Sequence, residues 1–171
     1  MSIIKRHQAQ IITSLKDPDI SIRRRALDLL YGMCDVSNAK DIVEELLQYL
    51  STADFAMREE LSLKAAILAE KFFPDLSWYV DVILQLIEGK AEILSAMIYG
   101  FVLCSLLQTM KTYRNSQLRL ETFYQPYAAA KAREYLDKPA IHETMVKVSA
   151  YLLGEYSHLL ARRLVVVRRK F

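Results

Sequence analysis

The chain has 171 residues, 53% of them hydrophobic, and only 4 Gly and 4 Pro; so few turn-forming residues argue against a sheet-rich fold and favour helices. A net charge of +3, from 23 basic and 20 acidic residues, is too small to mark a nucleic-acid binder. Two cysteines, Cys34 and Cys104, cannot build a disulfide framework and read as the reduced thiols of a cytosolic protein.

Met1-Ser2-Ile3-Ile4-Lys5-Arg6 opens without a secretory signal or a myristoylation glycine, and no prenylation box ends the sequence. Asp17-Pro18-Asp19 then precedes a helix whose expected apolar stripe is Ile22, Ala26, Leu29, Leu30 and Met33. Aspartate at a helix start accepts free backbone N–H groups, and proline is tolerated in the first turn. The next helix opens at Asn38, with Asp41 three residues on in the manner of a capping box, and carries Ile42, Val43, Leu46, Leu47 and Leu50. A third follows Asp54, with Met57, Leu61, Ala65, Leu68 and Phe72 on one face. Pro74-Asp75 punctuates, and Tyr79, Val82, Ile83, Leu86 and Ile87 repeat the spacing. Gln125-Pro126 opens a short helix through Leu136, Lys138-Pro139 interrupts it, and a long last helix carries Met145, Ser149, Leu152, Tyr156 and Leu159. Each helix has one apolar side and a short connection, so neighbours should pack antiparallel, about eight helices in pairs.

The helices also repeat. A shift of 35 residues lays Arg23 on Arg58, Asp19 on Asp54, Ile20 on Phe55, Ala26 on Leu61, Leu15 on Leu50 and Ile12 on Leu47. Two helices per period, an acidic residue at the inner turn and an arginine four later form a HEAT-like or armadillo-like pattern. Such a unit stacks on its neighbours to bury a continuous core, and the arginine is placed to pair with the turn carboxylate of an adjacent repeat.

Long stretches resemble one family. Lys5-Arg6-His7-Gln8-Ala9-Gln10-Ile11-Ile12, then Leu15 through Leu27, Ser51 through Glu60, Trp78-Tyr79-Val80-Asp81, and Gln125 to about Arg163 closely resemble the middle of the trunk of alpha-adaptins, the large subunits of plasma-membrane clathrin adaptor complexes. The likeness covers about 3–87 and 125–163. It implies an all-α, right-handed helical-repeat solenoid segment over 1–163 that scaffolds a coat in vesicle-mediated intracellular protein transport and endocytosis. It also implies that other adaptor subunits are the partners, and that the chain is cytoplasmic, peripheral on the plasma membrane and at coated pits through the complex. Neither nucleic acid nor a small-molecule substrate is implied. The basic residues with which the family contacts phosphoinositides and acidic dileucine signals belong to its N-terminal region, so none is carried onto this sequence. The segment 88–124 does not match and stands where the family has a helical pair, and the basic tail 164–171 is also foreign. Those abrupt edges point to retained intron sequence, an alternative exon or a misjoined gene structure. A repeat array without capping repeats exposes apolar ends, so the chain should be marginally stable or self-associating.

No catalytic, cofactor or metal-binding residue is assigned, and an enzyme is the least favoured class. His142-Glu143 opens like a zinc-protease motif, but position 146 is Val where a second His is needed. His7 and His158 are isolated, Cys34 lies on an apolar helix and reads as core, and Gly32, Gly89, Gly100 and Gly154 are too far apart for a phosphate loop. Arg23-Arg24-Arg25 reads as a solvated face with one member serving the repeat. Arg162, Arg163, Arg168, Arg169 and Lys170, flanking Leu164-Val165-Val166-Val167, form a second basic group suited to anionic lipid. Tyr127-Ala128-Ala129-Ala130 and Tyr151-Leu152-Leu153-Gly154 resemble tyrosine sorting signals only loosely, and packing is the stronger reading.

Ile93 to Met110 is an 18-residue run without a charge. It reads as a buried helix completing a third repeat, as a poorly packed insert exposing apolar surface, or as a membrane helix of marginal length. Two other functions follow as alternatives: a membrane-anchored protein using Ile93 to Met110, or a helical-repeat peptide-binding module unrelated to coats.

Overall fold

Aspartate carboxylates start three of the described helices. Asp19 holds extended backbone (φ −83°, ψ 121°) and its side chain accepts the Ser21 N–H at 2.8 Å, capping the helix that follows. Asp54 accepts the Met57 N–H at 3.0 Å, and Asp75 accepts the Trp78 N–H at 2.8 Å. Each satisfies a donor that the first helical turn leaves without a partner.

The computed structural model describes residues 3–72, 75–88, 100, 104, 106, 108 and 124–168, with side chains described from 7 to 160 within those spans except at 124. Seven helices are present among the described residues: α1 (Ile3–Ser14), α2 (Ile20–Gly32), α3 (Ala39–Thr52), α4 (Phe55–Phe72), α5 (Leu76–Glu88), α6 (Tyr124–Leu136) and α7 (Glu143–Arg168). Gly100, Cys104, Leu106 and Gln108 are also helical, and no strand occurs among the described residues. This is an all-α helical-repeat fold of the HEAT/armadillo-like class.

The chain divides into two compact units, one holding α1–α4 and the other α5–α7. In the first, α1 packs on α2 and α3 on α4, so the pairs coincide with the 35-residue sequence repeat, and α2 and α4 meet directly. Its core is Leu15, Ala26, Leu27, Leu30, Ile42, Val43, Leu46, Met57, Leu61, Ala65 and Leu68, all at 3% exposure or less. In the second unit α6 packs on α7 and both touch α5. Buried Ala128, Ala129 and Ala132 present a thin surface on α6, and Met145, Val148, Ser149, Leu152 and Tyr156 are buried on α7. Helix α5 is buried on nearly every side, only Gln85 and Glu88 being exposed, as expected of a helix apolar all round.

Two local expectations are corrected. The buried stripe of α2 is Ala26, Leu27 and Leu30, while Ile22 (44%) and Leu29 (56%) are exposed. The helix is rotated because half-buried Arg23 occupies the first inward position, where it meets α4. Nor does Asn38 cap α3 with its side chain. Its Oδ1 accepts the Asp35 N–H at 2.7 Å and its Nδ2 donates to the Met33 carbonyl at 3.1 Å, tying the α2–α3 loop, while Asp35 accepts the N–H groups of Ser37 and Asn38.

Candidate functional site

In a stacked-repeat protein the functional part is the joint between repeats, because each unit is stabilised by its neighbour. Here the joint is built on the two arginines that the 35-residue shift superposes. The Arg23 guanidinium donates to the carbonyls of Asp17 (2.7 Å) and Pro18 (3.0 Å). Arg58 does the same in the next pair, donating Nε–H to the Ala53 carbonyl at 2.6 Å. Each arginine thereby closes the turn inside its own helical pair, and Pro18 and Ala53 are themselves in register.

Arg23 does one thing more. Its other amino group donates to Asp54, so the carboxylate that caps α4 through Oδ1 binds α2 through Oδ2. Two further rungs run along the same face. Arg24 Nε lies 3.7 Å from Glu60, and Lys64 pairs with both Asp28 and Glu60, the latter at 2.8 Å. A hydrogen bond from Lys64, and then its charge, hold the Asp28 carboxyl below the usual carboxylate range. Burial works against the Lys64 ammonium, but its hydrogen bonds to Asp28 and Glu60 leave its pKa raised.

The side chains of Arg23 and Lys64 are 13% and 17% exposed, whereas Asp54 and Asp28 are 49% and 57% exposed. Half-open pairs of this kind contribute roughly 0–1 kcal/mol each. The ladder therefore sets the register of α2 on α4 more than it stabilises the fold. The basic run is divided accordingly: Arg23 and Arg24 serve the joint, one more than expected, and Arg25 is exposed. The signal for the outer rungs was in the sequence, since Arg24/Glu60 and Asp28/Lys64 are opposite charges 36 apart, one more than the repeat.

The second unit has its own tie. The Tyr127 hydroxyl lies 2.9 and 2.7 Å from the two Asp81 oxygens, and Lys138 pairs with Glu88, joining α6 and its following turn to α5. Tyr127 is thus an inter-helix contact and no exposed signal, and Tyr151 is half-buried in α7. His142 caps α7: its carbonyl accepts the Val146 N–H at 3.2 Å, and its Nδ1 accepts the Thr144 N–H at 3.3 Å. Glu143 is paired with Lys147 at 2.6 Å. Among the described residues no group of three or more His, Cys, Asp or Glu is arranged to hold a metal ion. Cys34 is buried and Cys104 exposed. Of Ile93 to Met110, only Gly100, Cys104, Leu106 and Gln108 are described, and Leu106 is fully buried. The side chains of the basic group from Arg162 onward lie outside the described residues. No helix among the described residues is long and apolar enough to cross a membrane.

The model of the adaptin N terminal region matches residues 2–171. The chain belongs to the adaptin N-terminal region family. It is 74% identical over 161 residues to AP-2 complex subunit alpha-1 of Arabidopsis thaliana, covering 94% of this chain and 15% of that protein. It is 50% identical over 159 residues to AP-2 complex subunit alpha-2 of Dictyostelium discoideum, covering 93% and 15%. AP-1 complex subunit gamma of the same organism is 34% identical over 157 residues, covering 92% and 16%. The adaptin likeness is therefore to alpha subunits before gamma, in line with the resemblance read from the sequence. The chain spans about 15% of the length of these relatives. The family match takes in both 88–124 and 164–171, and about a quarter of the positions aligned with the Arabidopsis subunit differ.

Proposed function

We propose that this chain is a structural segment of a clathrin-adaptor large subunit, a coat scaffold in vesicle-mediated intracellular protein transport and endocytosis, and not an enzyme. Its partners are the other subunits of the adaptor complex, and through them it is cytoplasmic and peripheral on the plasma membrane and at coated pits. The observation that carries this reading is the 74% identity to an AP-2 alpha subunit across 94% of the chain. The Arg23–Asp54 joint supports it, because a stack of helical pairs locked in register transmits position and presents surface without chemistry of its own. In this layout the trunk-like repeats run over 1–163, interrupted by the apolar segment 88–124 and followed by the basic tail 164–171.

Co-expression of the tagged chain with the remaining subunits of an AP-2 complex tests the assignment. Co-elution on size exclusion and enrichment of the tagged chain at coated pits are expected. A chain that elutes alone and stays diffuse in cells overturns it. Sequencing the transcript across the codons for Ile87 to Gln125 tests the layout: an in-frame join lacking the intervening codons removes the separate segment.

A further inference from the structure

Helix α2 has two apolar faces and buries one. Ala26, Leu27 and Leu30 are buried, whereas Ile22, Leu29, Tyr31 and Val36 are four of the six large apolar side chains exposed among the described residues. Ile22, Leu29 and Val36 recur at seven-residue spacing, a stripe along α2 and the turn after it. An exposed apolar stripe rimmed by charge marks an interaction surface.

The 35-residue repeat says what such a stripe receives. On α4, Asp54, Glu60 and Lys64 bind Arg23, Arg24 and Asp28 of α2. Their repeat equivalents on α2 are Asp19, Arg25 and Leu29. Buried Met57 has exposed Ile22 as its equivalent, and Lys71 has Val36. The stripe is therefore the α4 face that takes a helix, repeated on α2, where it faces solvent. Its polar members are uncommitted too. Asp19 caps α2 through Oδ1, as Asp54 caps α4 through Oδ1, but no ion pair engages Asp19 or Arg25 among the described residues.

The register also gives the chemistry of the helix that fits. An incoming helix presents the equivalents of Arg23, Arg24 and Asp28 to Asp19, Arg25 and Leu29. A helix like α2 fails, because Arg24 meets Arg25 and Asp28 meets Leu29. A helix like α4 fits, because Arg58 meets Asp19, Glu59 meets Arg25 and Leu63 meets Leu29. A second copy of this chain does not supply it: on that flank of α4, Ser62, Ala65, Ala66 and Ala69 are already buried at 3% exposure or less. A protein as long as the AP-2 relatives, of which this chain spans about 15%, has the sequence to do so.

We propose that the outer face of α2 is a selective joint of the Arg23–Asp54 kind. Its occupant is a further helical pair of the same repeat class in a full-length large subunit. The packed helix of that pair sets an arginine against Asp19, an acidic residue against Arg25 and a large apolar residue against Leu29. Arg25 stands where α4 has Glu60, so it repels a helix with the charges of α2 and fixes which pair can stack. The proposal rests on the reading of the chain as a trunk segment.

The test is a nuclear magnetic resonance titration of the nitrogen-15-labelled chain with two hydrocarbon-stapled helical peptides. One has the α4 sequence Phe55–Phe72, stapled across positions 57 and 61, away from the flank in question. The other has the α2 sequence Ile20–Gly32, stapled across the equivalent positions 22 and 26. The α4 peptide is expected to shift the amides of residues 19–36, and the α2 peptide to leave them in place. Glu59→Arg in the peptide, or Arg25→Glu in the chain, should each weaken binding about fivefold, and combining the two reversals should restore it. Equal binding of the two peptides, no restoration by the paired reversals, shifts centred on residues 53–64, or no shift at millimolar peptide each overturn the proposal. The comparison of the two peptides needs no altered protein, so it stands even if a variant unfolds. No adaptor subunit enters the titration, so its failure and a failure to co-elute with the complex are separate results.

Discussion

Arg23 on α2 pairs with Asp54, the residue that the 35-residue repeat sets in register with Asp19, so the first helical pair grips the turn of the second. Asp54 performs two tasks with two oxygens, capping α4 and anchoring α2. The tasks separate by substitution. Asp54→Asn keeps a competent cap and loses the ion pair, whereas Asp54→Ala loses both. Asp54→Ala should therefore cost about 1 kcal/mol more than Asp54→Asn in urea unfolding. Arg23→Met also strips two carbonyl contacts from its own turn, for a loss of about 1–3 kcal/mol. The coupling between Arg23→Met and Asp54→Asn in a double-mutant cycle should be below about 1 kcal/mol, because Asp54 is half-exposed.

Much of this was legible in the sequence, and the failures have physical causes. Arg23, Arg58, Asp19 and Asp54 announce the repeat, and a repeat implies a neighbour for its turn carboxylate. The α2 stripe misled because a 3.6-residue period permits two apolar faces on Ile20–Gly32. One runs Ile22, Ala26, Leu29, and the other runs Arg23, Ala26, Leu27, Leu30. Only the presence of α4 beside Arg23 selects the second, leaving Leu29 in solvent. Tyr127 read as packing but its partner Asp81 was invisible, since 46 residues separate them and no repeat relates them.

Tyr127 should make the second unit sensitive to alkali. Burial, then its hydrogen bond to Asp81, raises the phenol above its ordinary pKa. A raised folded-state pKa means that the contribution is fully present below about pH 10, the value for an unfolded tyrosine. It is lost as pH rises through the folded value. Thermal melts from pH 8 to 12 should show Tyr127→Phe less stable by about 1–3 kcal/mol at pH 8, with the difference from the parent shrinking as pH climbs. A constant difference would mean that Asp81 does not hold the protonated phenol.

Ser149 is a built-in weakness. It is fully buried on α7, and its hydroxyl has no hydrogen-bond partner among the described residues. Ser149→Ala removes an unsatisfied polar group and adds helix propensity. Stability should rise by about 1 kcal/mol, read as a higher urea midpoint at unchanged slope. A fall would show that the hydroxyl has a partner in solution.

The two thiols should react very differently. Burial, and then the charge of Asp35, push the Cys34 thiol up to about 11, while Cys104 is exposed. Because the thiolate is the nucleophile, iodoacetamide at pH 8 should alkylate Cys104 and spare Cys34 until the chain is unfolded in guanidinium. Peptide mass analysis distinguishes the sites, and equal labelling of both would place Cys34 outside the core.

Asn38 separates the capping-box reading from the observed geometry. If its side chain capped α3, Asn38→Asp would be neutral or mildly stabilising, since aspartate is an equally good N-cap. In the structure Asn38 is 5% exposed, and its Nδ2 donates to the Met33 carbonyl while its Oδ1 accepts from Asp35. Aspartate cannot donate in that position. The change sets a carboxylate oxygen against a carbonyl and brings a second negative charge near Asp35, whose own carboxyl is held low by hydrogen bonds from Ser37. Asn38→Asp should therefore destabilise the first unit by about 1–3 kcal/mol at neutral pH. The penalty should ease as pH falls and the new carboxyl is protonated into a donor, the sign expected of a group whose folded pKa is raised. Urea unfolding at pH 7 and pH 4 measures both, and a neutral Asn38→Asp would return the side chain to the cap.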